Sequence, residues 1–200
     1  MSRTILIVDD EASIRTSLAG ALQDEGYRTT TASDGPRALK KIEEELPDLV
    51  LLDIWLPGMD GIEVLKRIRS HHPTVPVVMI SGHGTIETAV SATKLGAFDF
   101  LEKPLSLEKT LLAVQNALSF RQLKEDNLIL RQKAERQYKL TGSSPAIKHL
   151  RETIERVAPT QATVLITGEN GTGKEVVSRM IHRQGLRKEG PFVSVSYTHL

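Results

Sequence analysis

The sequence predicts an α/β fold, a doubly wound parallel sheet spanning about residues 1–120 of 200. Two observations carry that prediction. Ile5-Leu6-Ile7-Val8, Leu49-Val50-Leu51-Leu52 and Val77-Val78-Met79-Ile80 are unbroken apolar runs, the pattern of parallel strands buried on both faces. Between them lie stretches whose apolar residues recur three and four apart, as on one face of a helix. Composition agrees: 40% hydrophobic and 26% charged residues are ordinary for a globular chain. Only 4% are aromatic, so aliphatic side chains must build the core.

The elements follow in chain order. After the first apolar run, Ile14, Leu18, Ala21 and Leu22 mark a helix that Gly26 closes. Residues 28–32 give a weaker second strand. Ala38, Leu39 and Ile42 mark a second helix, stopped by Pro47. The second apolar run is the third strand, followed by a helix on Ile62, Leu65 and Ile68. The third run is the fourth strand, followed by a helix on Ile86, Val90 and Leu95. Residues 99–102 form a fifth strand, and Leu107, Leu111, Val114 and Leu118 a fifth helix. Five strands alternating with five helices define a doubly wound sheet.

From 121 to 139 Gly and Pro disappear and charge becomes dense. Leu123 and Leu130, seven apart, suggest a helical linker with a short coiled-coil seam. Residues 140–200 then read as a second domain. Ser144 and Pro145 start a helix carrying Ile147, Leu150, Ile154 and Val157, ended by Pro159. Val164-Leu165-Ile166-Thr167 and Phe192-Val193-Ser194-Val195 read as strands, with a glycine-rich turn and a helix from Lys174 to Arg183 between them.

Charge and cysteine content narrow the function. The formal net charge is +1, which gives no global electrostatic reason to bind nucleic acid or membrane. There is no Cys, so disulfides and zinc–thiolate sites are excluded. No apolar stretch is long enough for a membrane helix or a signal-peptide core. The expectation is a cytoplasmic protein.

In an open α/β sheet, chemistry sits at the carboxyl ends of the strands. Reading those ends in order gives Asp9 and Asp10, then Asp53, Ser81 and Lys103. Clustered carboxylates call for a hard divalent cation, with Mg²⁺ the natural neutraliser. A carboxylate beside such an ion can take a phosphoryl group as an acyl phosphate, with Ser81 and Lys103 supplying donors. Capping explains paired Asp at one strand end, but not five polar residues at successive strand ends.

Val8-Asp9-Asp10-Glu11, the run from Leu52 through Asp53-Ile54-Trp55-Leu56-Pro57-Gly58-Met59-Asp60 to Gly61, Ser81-Gly82 and Lys103-Pro104 resemble a response-regulator receiver domain. The resemblance implies a flavodoxin-like sheet of strand order 2-1-3-4-5. It implies that a sensor histidine kinase phosphorylates Asp53. Asp10 would bind Mg²⁺ directly, Asp9 mostly through water, and the Trp55 carbonyl would complete the protein ligands. Ser81 and Lys103 would hold the phosphoryl oxygens, with a cis Lys103–Pro104 bond. Phe100 occupies the family's switch-aromatic position.

Gly168-Glu169-Asn170-Gly171-Thr172-Gly173-Lys174 lies between a predicted strand and a predicted helix, the context of a phosphate-binding P-loop. Its N–H groups and Lys174 would cradle ATP phosphates. Glu175 replaces the usual Ser or Thr. That ending, with the approach Gly142-Ser143-Ser144-Pro145-Ala146-Ile147, resembles the AAA+ domain of sigma-54-dependent activators. Receiver, linker and this ATPase start resemble the NtrC family. Residues 80–90, with Asp53-Ile54-Trp55-Leu56, look most like its NtrX branch, linked to nitrogen regulation.

The resemblance implies a phosphorylation-controlled transcription activator. Its contacts with sigma-54 RNA polymerase and DNA would lie in parts absent from this chain, and it could form a homodimer through receiver and linker. Too few residues follow Lys174 for a complete ATPase, so an incomplete sheet with exposed apolar surface and no ATP turnover is expected. Ser196-Tyr197-Thr198-His199-Leu200 departs from the family and reads as non-native. The alternative is a Mg²⁺-dependent phosphatase working through an aspartyl phosphate. There the nucleophile follows the first strand with a second Asp two residues on, whereas Asp9 and Asp10 are adjacent and Asp53 is on the third strand. An FMN-binding flavodoxin is disfavoured because two Asp after the first strand would repel phosphate.

Overall fold

A computed structural model describes residues 2–82, 86–137 and 140–195, with backbone only at 86 and 131–137. Residues 83–85 of the NtrX-like stretch, 138–139 of the linker and the 196–200 departure lie outside the described residues. The chain divides into two compact units, residues 1–126 and 127–200.

The first unit holds five parallel strands, β1 (Thr4–Val8), β2 (Arg28–Ala32), β3 (Leu49–Asp53), β4 (Val77–Ser81) and β5 (Asp99–Glu102). Their order is β2-β1-β3-β4-β5, as the family resemblance implies. Every residue of β1, β3 and β4 is buried, which explains their unbroken apolar character. β2 reads Arg-Thr-Thr-Thr-Ala because it is an edge strand, half-covered. Alternate residues point to opposite faces. Leu6, Val8, Val50, Leu52, Val77 and Met79 enter one core layer, and Ile5, Ile7, Leu49, Leu51, Val78 and Ile80 the other.

The helices of this unit are α1 (Ala12–Asp24), α2 (Gly35–Glu44), α3 (Gly61–His71), α4 (Ile86–Lys94) and the start of α5 (Leu107–Gln137). Asp34 caps α2 by accepting from the Arg37 N–H, and Asp60 caps α3 by accepting from Glu63. Gly26 follows α1 with φ +85°, the left-handed conformation that ends a helix at low steric cost. The expected apolar face of α4 needs correcting. Val90 is 46% exposed and Leu95 is also exposed, while Ala92 is fully buried. The small residue faces the sheet because it permits close approach there.

α5 continues unbroken for 31 residues through the charged stretch, as the loss of Gly and Pro suggested. Leu123 and Leu130 on it are exposed, at 68% and 63%. Among the described residues no helix is long and apolar enough to cross a membrane.

In the second unit α6 (Pro145–Val157) packs against α7 (Lys174–Gln184), burying Ile154, Ala158 and Val177. Ser144 caps α6 by accepting from Ile147, with Pro145 at the first helical position. The two strands expected here do not form: neither 164–167 nor 192–195 is strand. A strand needs a partner for its ladder, and no described segment pairs with either. Leu165 is 87% exposed and Val193 74%, so the exposed apolar surface is present while the sheet is not.

Candidate functional site

The strand order brings the carboxyl ends of β1, β3, β4 and β5 side by side, so residues from four chain segments meet. Asp9 follows β1, Asp53 ends β3, Ser81 ends β4 and Lys103 follows β5. Asp9, Asp53 and Ser81 are buried, while Asp10 is exposed. The Lys103 ammonium donates to Asp53 Oδ2 at 2.7 Å and lies 2.9 Å from Asp9 Oδ2. The other oxygen of Asp53 accepts from the Trp55 N–H at 3.2 Å. Asp9 Oδ1 accepts from the Glu11 N–H at 2.9 Å. The Lys103–Pro104 bond is cis.

Burial pushes the Asp53 carboxyl above its ordinary value, and the repulsion of Asp9 adds to that. Hydrogen bonding to Lys103 and Trp55 opposes the rise without cancelling it. For Lys103 the balance is reversed. Burial works to lower its pKa, but hydrogen bonds and charge from Asp53 and Asp9 prevail and raise it. One ammonium therefore serves two buried carboxylates, with Glu11 farther off at 3.7 Å.

A divalent cation fits this imbalance. Carboxylate oxygens of Asp9, Asp10 and Asp53 lie within 4.8 Å of one another. Asp9 Oδ2 is buried, and the Lys103 ammonium it shares with Asp53 stands 2.9 Å away. An all-oxygen donor set with more carboxylate than counter-charge suits Mg²⁺, which takes one or two carboxylates and keeps several waters.

The structure adds residues that sequence reasoning missed. Arg15 donates from Nη1 to the carbonyls of Asp9 and Asp10, at 2.6 and 2.9 Å, and so fixes the loop that carries both acids. Glu11 joins the charge network through the Lys103 contact. Gly61 abuts the Asp53 backbone so closely that no side chain fits. Glu11 and Gly61 had a signal, since both fall within the motifs that carried the resemblance, whereas Arg15 had none. Phe100 is half-buried and packs on the core layer that contains Met79, Ala92 and Ala97. Trp55 exposes 62% of its surface beside the acidic cluster.

The glycine-rich turn stands apart, in the second unit. Gly168, Gly171 and Gly173 all have positive φ. Gly173 at +86° caps α7, where a side chain would be strained. Lys174 folds back to donate to the carbonyls of Gly168 and Glu169, at 2.9 and 2.6 Å. Glu175 pairs with Arg179 one turn on, at 2.8 Å. Asn170 and Thr172 lie in the turn between them, with the Thr172 hydroxyl donating to the Glu169 carbonyl.

Comparison with known proteins agrees with both parts. Residues 5–115 match the family described as response regulator receiver domain, and residues 140–200 match the sigma-54 interaction domain. The nitrogen assimilation regulatory protein NtrX of Azorhizobium caulinodans is 46% identical over 98% of the chain. The chain spans 43% of that relative's length. The crystal structure of NtrX from Brucella abortus is 48% identical, with a TM-score of 0.72 over all of this chain and 45% of that one. The receiver domain of the same Brucella protein is 53% identical, covering 57% of this chain and 98% of that one, with a TM-score of 0.56.

Proposed function

Because the chain belongs to the response-regulator family, in its NtrX-like, sigma-54-linked branch, we propose that Asp53 accepts a phosphoryl group from a sensor histidine kinase. The observation that carries this reading is the placement of Asp53. It is buried beside two other carboxylates, with one oxygen on Lys103 and the other on the Trp55 backbone N–H.

An Asp53 oxygen attacks phosphorus in line with the leaving imidazole of the kinase histidine. The new P–O bond forms as the P–N bond breaks, and the imidazole nitrogen keeps the electron pair. Lys103 moves its hydrogen bond from the carboxylate to a phosphoryl oxygen, and the Ser81 hydroxyl holds another. Asp9, Asp10, Asp53 and the Trp55 carbonyl would hold the cation. Mg²⁺, when bound, offsets the negative charge that gathers on these oxygens. Phe100 packs near Ala92 of α4 and follows Ser81 inward when the phosphoryl group is present.

The domain boundaries we assign are a receiver over 1–120, a helical linker over 121–139 and the start of an ATPase over 140–200. NtrX of Brucella has been crystallised with ADP and with ATP. By extension, residues Gly168–Glu175 of this chain contact nucleotide phosphates. Among the described residues no strand supports the turn from behind, so we read this 200-residue stretch as not turning ATP over by itself. The whole protein acts in the cytoplasm as a phosphorylation-controlled, sigma-54-dependent activator in nitrogen regulation. Its further partners are sigma-54 RNA polymerase and DNA. Leu123 and Leu130 supply a seam for a homodimer.

The test is incubation with Mg²⁺ and acetyl phosphate, followed by intact mass. One phosphoryl adduct is expected, and none in Asp53→Asn. An undiminished adduct in that variant overturns the assignment.

A further inference from the structure

A cleft of about 350 Å³ opens at the amino-terminal end of the sheet, the end away from Asp53. Arg69 near the end of α3, the Gly96–Phe98 turn before β5, and Phe120, Arg121 and Lys124 of α5 line it. Phe98 and Phe120 form an aromatic pair with centroids 5.5 Å apart. The Lys124 ammonium sits over the Phe120 ring at 4.6 Å.

The charges in this cleft do not balance. Arg121 is neutralised by Glu125 at 2.8 Å and Asp48 at 3.5 Å. Among the described residues, neither Arg69 nor Lys124 meets a carboxylate. Arg69 donates to two backbone carbonyls, those of Pro73 and Val75, and its Nε is buried with no acceptor. Burial pulls its pKa below the ordinary value. A guanidinium taken out of water without an anion is costly, and bringing an anion to it recovers part of that cost. Space is reserved for this side chain: Gly96 has φ +96°, and a Cβ there would stand 2.9 Å from Arg69 Cδ.

We propose that this cleft binds a small organic anion with a flat apolar body, its carboxylate or phosphate held between Arg69 and Lys124 and its body against the Phe98–Phe120 pair. A guanidinium fork suits a carboxylate or phosphate, and the aromatic pair suits a flat body. If Arg69 served only to brace the 73–75 turn, it would need neither Lys124 nor the aromatic pair. Occupancy ties α5 at residues 120–124 to the turn before β5. The proposal is independent of the chemistry at Asp53.

The test uses the full 200-residue chain, amide-resolved NMR, and two probes, benzoate and inorganic phosphate. Benzoate should saturably shift the amides of 96–98 and 120–124, and phosphate should do so more weakly because it lacks a body. Lys124→Gln, an exposed change, should weaken benzoate about tenfold, and Arg69→Gln should abolish its binding. If Arg69→Gln does not fold, Phe98→Leu takes its place and should also weaken benzoate. No saturation at those amides, or unchanged affinity in Lys124→Gln, overturns the proposal. Phosphate binding as tightly as benzoate overturns the role given to the aromatic pair.

Discussion

Gly61 presses so closely on Asp53 that a Cβ built on it would lie 2.0 Å from the Asp53 carbonyl oxygen. The Gly61 N–H also donates to the Ile54 carbonyl at 2.8 Å. The first residue of α3 is thus wedged against the end of β3, and the Asp53 side chain is aimed by a contact of two backbones.

Gly61→Ala should therefore destabilise the receiver by about 2–3 kcal/mol in urea unfolding, because the obstructing atom is backbone and cannot swing aside. Phosphorylation should slow as well, since the Asp53 backbone must shift. Gly20→Ala, in α1 with nothing within 4 Å of the added Cβ, is the control and should stabilise by up to about 1 kcal/mol. Equal stability of Gly61→Ala and wild type would contradict the contact.

Asp53→Asn should make the metal-free protein more stable at neutral pH. The Asp53 pKa is raised in the folded state, mainly by burial. Its contribution to stability is thus fully present below the ordinary Asp pKa and is lost as pH rises through the folded value. The variant escapes that loss. A gain of about 1 kcal/mol, or a few degrees in Tm, is expected at neutral pH, closing toward acid. Thermal melts in chelator across pH measure it, and a lower Tm for the variant at neutral pH would refute it.

Lys103→Ala should cost about 3 kcal/mol in chelator, because it leaves Asp9 and Asp53 buried without their shared counter-charge. The Lys103 pKa is raised in the fold, so its contribution persists through neutral pH and disappears only as pH climbs through the folded value. Mg²⁺ should narrow the difference from wild type. Chemical unfolding with and without the cation checks this, and an unchanged difference would show that the two charges are not interchangeable.

Asp9→Asn should weaken Mg²⁺ binding at least about tenfold, since it removes one of the three clustered carboxylate charges. Trp55 is the only Trp, and its backbone N–H donates to Asp53, which places its side chain two residues from the acidic cluster, so its emission is used to follow the titration. Wild-type affinity in this variant would remove Asp9 from the cation site.

The strand ends were readable because each buried strand is an unbroken apolar run that stops at a polar residue, Asp9, Asp53 or Ser81. Position in the chain then gives position in the pocket. The contacts of Gly61, Arg15 and Glu11 were not readable in that way, since they depend on how closely elements approach in space. The α4 face misled for a related reason: periodicity marks Val90, but the approach of the helix to the sheet selects Ala92 for burial. Val164-Leu165-Ile166-Thr167 has strand character yet forms none, because β-propensity is expressed only where a neighbouring strand completes the ladder.

The position of β1 between β2 and β3 bears on how the chain is made. Its residues leave the ribosome before those of β3, so Ile5–Val8 cannot pair on that side until Leu49–Asp53 has followed. Through that interval a wholly apolar strand has one open edge, the condition under which nascent chains stick to one another. β5 is the outer strand beyond β4 and is translated last, so Lys103 reaches Asp9 and Asp53 only at the close of receiver synthesis. Until then, the acids of the pocket have no lysine to meet.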